Sequence, residues 1–325
     1  MLNTPVLLLI FNRPETTAAV FEQIKQIRPK YLFVAADGAR KAKEGEAALC
    51  EAVRKIVLQG IDWPCEVATL FRDENIGCKN AVSQAINWFF TKVDKGIILE
   101  DDCVPDESFF YFCEELLEKY KDDSTIISIG GTNLGYTFAN DSSYGFSRIM
   151  NMWGWATWRR SAKMIDYDMR KWKQLPFKKL FLFSRIWDGK SLDINWINYW
   201  KNYFNITSSG KLNTWDYQWI FAQQYFKMLS IFPAHNLVKN IGFTENATHT
   251  VYPDHPIASL PLQTLEFPLM HPDKKEIDKV YEIDFLKKIW FGHTKESLYS
   301  IAKTNLLYIP FVARINQYFK SVDKK

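Results

Sequence analysis

Residues 96–102 read Gly-Ile-Ile-Leu-Glu-Asp-Asp, three large apolar residues running directly into three carboxylates. A short apolar run without polar alternation is the mark of a strand buried on both faces of a parallel sheet. The acids then fall at its C-terminal end, where such sheets gather their loops and ligands. Three carboxylates packed there raise one another's pKa unless a positive charge compensates, so the segment predicts a hard divalent cation beside a buried strand. Alternation along an extended chain would send Glu100 and Asp102 to one side and Asp101 to the other, leaving one or two ligands, with Asp102 favoured as the direct one. Manganese and magnesium both suit the position, since they take few protein carboxylates and fill their shell with water and phosphate oxygens.

Working outward, the same texture recurs. Val6–Phe11 is a continuous apolar run, and Pro14 stands where a helix to about Ile27 can begin without losing a hydrogen bond. Strands are predicted at Tyr31–Ala36, Glu66–Phe71 and Gly96–Leu99, with helices over 45–58 and 80–90 between them. Glu107–Tyr120 reads as a helix capped by Asp106, and Ile126–Ile129 as a fifth strand ending in Gly130-Gly131. The order βαβαβαβαβ predicts an α/β fold with a Rossmann-like, mostly parallel central sheet flanked by helices. Its strand ends collect Asn12-Arg13, Asp37-Gly38, Arg72-Asp73 and Glu100-Asp101-Asp102.

Composition bounds the rest. With 325 residues, 47% hydrophobic and 24% charged, the chain can bury a full core and is not a disordered polymer. Its five cysteines are an odd number without zinc spacing, which fits a reducing, cytoplasmic setting. No apolar run approaches the roughly 20 residues needed to span a bilayer, and no leader is expected. Charge is divided along the chain: 15 cations face 22 carboxylates in 1–147, net −7, whereas 148–211 carries 13 against four, net +9. Nine of the 12 tryptophans lie between Trp153 and Trp219 in that basic part. We therefore expect an α/β half over 1–130, an aromatic-rich half over 131–284 packed on the same sheet, and a basic amphipathic helical tail over 285–325.

Three quoted segments carry a resemblance: Pro5-Val6-Leu7-Leu8-Leu9-Ile10-Phe11-Asn12-Arg13-Pro14, Ala35-Ala36-Asp37-Gly38, and Ile97 to Asp102 followed by Pro105 and Phe109-Phe110. In order and spacing over residues 5–120 the chain resembles the GT-A glycosyltransferases, with the N-acetylglucosaminyltransferase I pattern the nearest. Asp73-Glu74-Asn75-Ile76-Gly77-Cys78-Lys79-Asn80 is also similar to a segment of the family 2 enzymes. The resemblance implies a nucleotide-sugar donor, of the uridine diphosphate kind, bound by the 1–130 half, an acceptor-binding and catalytic half over 131–284, and donor contacts from Asn12, Arg13, Asp37, Lys79 and Asp101. Arg13 would meet ribose or phosphate, Asp37 the uracil N–H, and Asp102 a manganese ion bridging the diphosphate. Independently, Asp is an acceptor suited to an imide N–H and a guanidinium matches phosphate geometry; Asp37-Gly38 is equally the residue pair of an ordinary turn.

Glycosyl transfer needs a base for the acceptor hydroxyl. Asp216, within Thr214-Trp215-Asp216-Tyr217-Gln218-Trp219, is the catalytic candidate, its aromatic frame favouring a desolvated carboxylate, and it resembles the family's Trp-Asp base segment. It would also serve as a plain helix cap. Asp188 and Asp193 are weaker candidates. One base facing the anomeric carbon implies inversion. Gly154 and Trp155 are read as a backbone approach and a flat face for the donor sugar, and His249 as a further metal ligand by analogy.

The acceptor is expected to be a glycan or a lipid-linked sugar in surface polysaccharide synthesis. The tail from Phe285, with eight cations against two carboxylates, is expected to meet an anionic membrane on the inner face of the plasma membrane or to pack on the body. A nucleotidyltransferase is the alternative reaction class, although Asn12-Arg13-Pro14-Glu15-Thr16 lacks the glycine-rich loop such enzymes place after the first strand. A non-catalytic carbohydrate- or membrane-binding protein on the same fold is a third reading. Nucleic acid is not expected, because the basic residues form no recognition module.

Overall fold

The computed structural model describes residues 1–186, 194–243 and 256–290. The chain opens as expected: β1 (Val6–Ile10), α1 (Pro14–Ile27), β2 (Tyr31–Ala36), α2 (Glu46–Gly60), β3 (Glu66–Phe71), α3 (Cys78–Lys92) and β4 (Lys95–Glu100). Pro14 does occupy the first turn of α1. These four strands are mutually parallel, in the spatial order β3-β2-β1-β4. Their side chains alternate between two buried layers. Leu7, Leu9 and Ile98 pack with Phe89 of α3, whereas Val6, Leu8, Ile97 and Leu99 pack with Val20 of α1.

Beyond β4 come β5 (Cys103–Pro105), α4 (Glu107–Lys119), β6 (Ile126–Gly130), β7 (Tyr144–Ser147) and β8 (Trp155–Trp158). Asp106 caps α4, accepting from the Ser108 amide at 2.9 Å. Short helices α5 (Arg159–Ala162) and α6 (Arg170–Gln174) precede α7 (Lys178–Ile186), α8 (Ile194–Ser208) and α9 (Asp216–Phe226). Strands β9 (Leu229–Pro233) and β10 (Val238–Asn240) and helix α10 (Lys279–Trp290) complete the described elements. Among them no helix is long and apolar enough to cross a membrane.

The eight-stranded sheet runs β3-β2-β1-β4-β8-β6-β9-β7, so it takes strands from both sides of residue 130. The fifth strand expected at 126–129 forms as β6, and β8 inserts antiparallel between it and β4, pairing Ile98 with Trp155 and Gly130 with Trp155. All four residues of β8 are buried, which a central position demands. The mixed order, a parallel β3-β2-β1-β4 half continued through antiparallel β8 to β6 and β9 and edged by antiparallel β7, is a Rossmann-like α/β architecture.

Residue 285, the expected start of the tail, falls inside α10, where Phe285 and Leu286 are buried and Tyr281 stacks on Phe232 with ring centroids 3.5 Å apart. Glu282, fully buried, accepts from the Arg148 amide at 2.6 Å and forms an ion pair with its guanidinium. The first part of the supposed membrane face is therefore committed to the core. Residues 291–325 lie outside the described residues.

Candidate functional site

The site lies at the C-terminal ends of β1, β2 and β4. β4 ends at Glu100, and Asp101-Asp102 form a turn into β5. This breaks the expected alternation. The turn brings Asp101 and Asp102, not Glu100 and Asp102, to a common partner: the Arg13 guanidinium, which donates to Asp102 Oδ2 at 2.9 Å and to Asp101 Oδ1. Asp101 is buried, and its Oδ2 has no hydrogen-bond partner. Burial tends to lower the Arg13 pKa, but the two carboxylates outweigh it and the net direction is upward. Burial, reinforced by Asp102 and Asp101, drives Glu100 well above the usual carboxylate range.

β5 and β10 form a separate two-stranded ribbon that braces the turn from below, pairing Cys103 with Asn240. The Ile241 amide donates to the Asp102 carbonyl at 2.8 Å. A Cβ at Gly242 would overlap the Asp102 carboxylate, so glycine is needed for that approach. His249, read as a metal ligand, lies outside the described residues, as do Asp188 and Asp193.

At the end of β2, Asp37 is buried and its carboxylate is engaged by the loop before α3. It accepts from Asn75 Nδ2 at 2.9 Å and from the amides of Ile76 and Gly77 at 3.1 Å each, besides its neighbour Gly38 at 3.0 Å. A carboxylate offers about four acceptor positions, so a uracil N–H would have to displace one of these bonds. Asn12 likewise turns away from the cleft, donating to Glu46 Oε1 at 2.8 Å. Lys79 pairs with Asp168 at 3.5 Å, and its amide donates to Asn213 Oδ1 at 2.9 Å.

Asn213 leads into α9, whose first residue is Asp216. The Asp216 Oδ1 accepts from the Tyr217 amide at 2.9 Å and from the Thr214 hydroxyl. Tyr217 stacks on Tyr203 of α8 with centroids 4.8 Å apart and planes 11° apart, forming an aromatic wall beside the carboxylate. Asp216 is half-buried and near enough to Glu100 for its charge to add to the forces raising that acid. Both charges also act on Cys78, whose thiol is pushed up to about 12 by burial and by Glu100 and Asp216. Of the residues read from the sequence, Arg13, Asp101 and Asp102 are in direct contact, and Asp216 lies within electrostatic reach of Glu100.

Gly154 and Trp155 play a different part. Trp155 is fully buried in β8, stacked on Trp215 at 5.8 Å and edge-on to Trp219 at 4.8 Å, so it has no face to offer a sugar. Gly154 adopts φ +61° and packs beneath Val238 of β10, where a Cβ would come within 2.7 Å. Sequence reasoning missed Glu46, Arg40, Cys78 and Asn213. An acidic residue in a helix's first turn is ordinary, and nothing in its spacing announces that Arg40 folds back on Glu46.

The residues present fit a cation that borrows most of its ligands from water and substrate. Two carboxylates share one region and one buried oxygen lacks a partner, but among the described residues no group of three His, Cys, Asp or Glu side chains gathers as a metal site.

No protein-family model and no curated protein matches this chain. Among solved structures it is similar to HddC from Yersinia pseudotuberculosis, at 12% identity over 48% of this chain and 77% of that one, with a TM-score of 0.31. Mouse xyloside xylosyltransferase 1, in its apo form, matches at 12% identity over 69% of this chain and 82% of that one, also with a TM-score of 0.31. UDP-glucose pyrophosphorylase complexed with UDP-glucose matches at 8% identity over 46% of this chain and 64% of that one, with a TM-score of 0.25. Likeness at this level carries no functional argument, and the architecture rests on the strand order itself.

Proposed function

We propose that this chain is a glycosyltransferase that moves a sugar from a nucleotide-sugar donor, of the uridine diphosphate kind, to a glycan or lipid-linked acceptor. The observation that supports the reading is the contact of Arg13 with Asp101 and Asp102 at the ends of the parallel strands, with Asp216, the first residue of α9, within electrostatic reach of the adjoining Glu100. Asp216 takes the proton of the acceptor hydroxyl, whose oxygen attacks the anomeric carbon. The bond from that carbon to the diphosphate oxygen breaks, and the electron pair leaves with the nucleoside diphosphate. Single displacement opposite the leaving group inverts the configuration. Thr214 and the Tyr217 amide hold one Asp216 oxygen, leaving the other to the acceptor.

Arg13 supplies positive charge where diphosphate charge develops, and the buried Asp101 fixes its position. A manganese or magnesium ion held by Asp102, with Asp101 beside it, would supply further neutralisation of the departing diphosphate. Arg13 already binds both carboxylates, so cation and guanidinium compete for the same oxygens. Asp37 shapes the loop that a base would meet.

The test is release of nucleoside diphosphate from a panel of nucleotide sugars, with and without glycan and lipid-linked acceptors, for the wild type and Asp216→Asn. Turnover that falls about 1,000-fold in the variant while its melting temperature holds is the expected result. Full activity in Asp216→Asn sinks the base assignment. Pyrophosphate release from a nucleoside triphosphate plus a sugar 1-phosphate replaces this reading with a nucleotidyltransferase.

A further inference from the structure

The eight-stranded sheet ends differently on its two sides. At one, Ile277 bridges to Phe146 of β7, whose carbonyl accepts from the Asp278 amide at 2.9 Å, so chain lies over that edge. At the other, β3 pairs on its inner side with β2, and among the described residues no strand pairs with its outer side. The amides of Glu66, which opens β3, and Arg72, just past its end, donate inward to the carbonyls of Lys30 and Ala36. Backbone groups alternate sides along a strand, so Val67, Thr69 and Phe71 aim their N–H and C=O groups outward. None of the six residues of β3 is buried, and Val67 is 39% exposed. The strand also has no proline, lysine or bulge to block an added strand.

Charge selects the occupant. Glu66 and Arg72 carry opposite charges, and among the described residues neither belongs to an ion pair: Arg72 donates to the Gln84 side chain at 3.3 Å, and Lys30 is near enough to Glu66 only for their charges to be felt. Six residues of extended chain, about 20 Å, keep the two from meeting each other. An antiparallel second copy centred on Thr69 sets Glu66 opposite Arg72 twice, Val67 opposite Phe71 twice, and Thr69 opposite itself. The residues facing outward then fall together as hydrogen-bonded pairs, as the ladder requires. Moving the axis to Ala68 or Leu70 would instead set Glu66 against Leu70 or Glu74. We propose that β3 joins β3 of a second copy, antiparallel about a two-fold axis at Thr69, so that one sheet continues across a symmetric dimer closed by two Glu66–Arg72 ion pairs. This pairing does not depend on the glycosyltransferase reading.

The experiment is analytical ultracentrifugation of the full chain across a concentration series, for the wild type, Thr69→Pro, Glu66→Arg, Arg72→Glu and an equal mixture of the last two, each variant checked for fold by circular dichroism. Because the Thr69 N–H faces outward, proline there spares the ladder with β2 and removes the donor at the axis. Each charge variant alone sets like charges opposite each other in both pairs, and only a mixed dimer of the two makes every pair opposite again. Expected are a wild-type dimer that weakens with salt, dimerisation weaker by roughly tenfold or more in each variant alone, and recovery in the mixture. A monomeric wild type overturns the proposal. A dimer undiminished in Thr69→Pro places the contact on another surface and overturns it too, and a mixture no better than its separate components refutes the register.

Discussion

Two neighbouring residues after β1 serve two arginine–carboxylate groups of opposite character. Asn12 turns to Glu46, which Arg40 also grips; Arg13 turns to Asp101 and Asp102. In the first group the hydrogen bonds from Arg40 hold Glu46 down to about 2, overriding burial, with the Arg40 amide and Asn12 assisting. In the second, burial dominates, and Asp101 is raised although a guanidinium lies against it. The difference follows from numbers of charges. One carboxylate with one arginine reaches a satisfied pair, whereas three acids sharing one arginine stay under-compensated. Under-compensation is costly for stability, and it marks the group suited to meet a further cation or a charged substrate.

The contrast can be broken most forcefully at Arg13. Arg13→Gln leaves two carboxylates facing each other, one of them buried, and should lower unfolding free energy by about 2–4 kcal/mol, less than for a fully buried pair because Arg13 is partly exposed. Urea denaturation measures it, and manganese should restore more stability to this variant than to the wild type. A loss below roughly 1 kcal/mol would mean the acids are already relieved by solvent.

Glu46→Gln is milder, about 1–2 kcal/mol, since the half-exposed Arg40 is screened by water. Its pH dependence has a definite sign. A carboxyl held at about 2 in the fold, below its ordinary value of 4.5, adds stability above pH 4.5 that is lost as the pH falls towards 2. The gap between wild type and Glu46→Gln should therefore be full at pH 6 and shrink below pH 4, and a gap independent of pH would contradict the pairing. Least is expected from Lys79→Ala, which removes a 3.5 Å rim pair with the exposed Asp168 and should cost under about 0.5 kcal/mol by the same denaturation measurement.

Much of the parallel half was legible because its strands are unbroken apolar runs separated by Pro, Gly and Asp signals, and α1, α3 and α4 fall within two residues of their expected starts. β8 was hidden. Trp155-Ala156-Thr157-Trp158 reads as an aromatic loop, and only its remote partners β4 and β6 make it a central strand. The same long-range pairing buried Trp155 and removed it from the sugar-facing role. In the candidate site the partners of the expected residues were not legible: a turn after Glu100 joined Asp101 to Asp102, and Asp37 was taken by the amides of its neighbouring loop. Such pairings depend on where loops meet, which no local spacing records.

The most direct test of the central claim is a thermal-shift titration of uridine, guanosine and cytidine diphosphates, each with and without manganese, on the wild type and Asp102→Asn. Uridine diphosphate at about 100 times its dissociation constant should stabilise the native state by about 2.7 kcal/mol and raise the wild-type melting temperature by roughly 5 °C, with the response lost in Asp102→Asn. No response of the folded wild type to any nucleotide, or an undiminished response in Asp102→Asn, would contradict the assignment of this strand-end cluster as a nucleotide-sugar site.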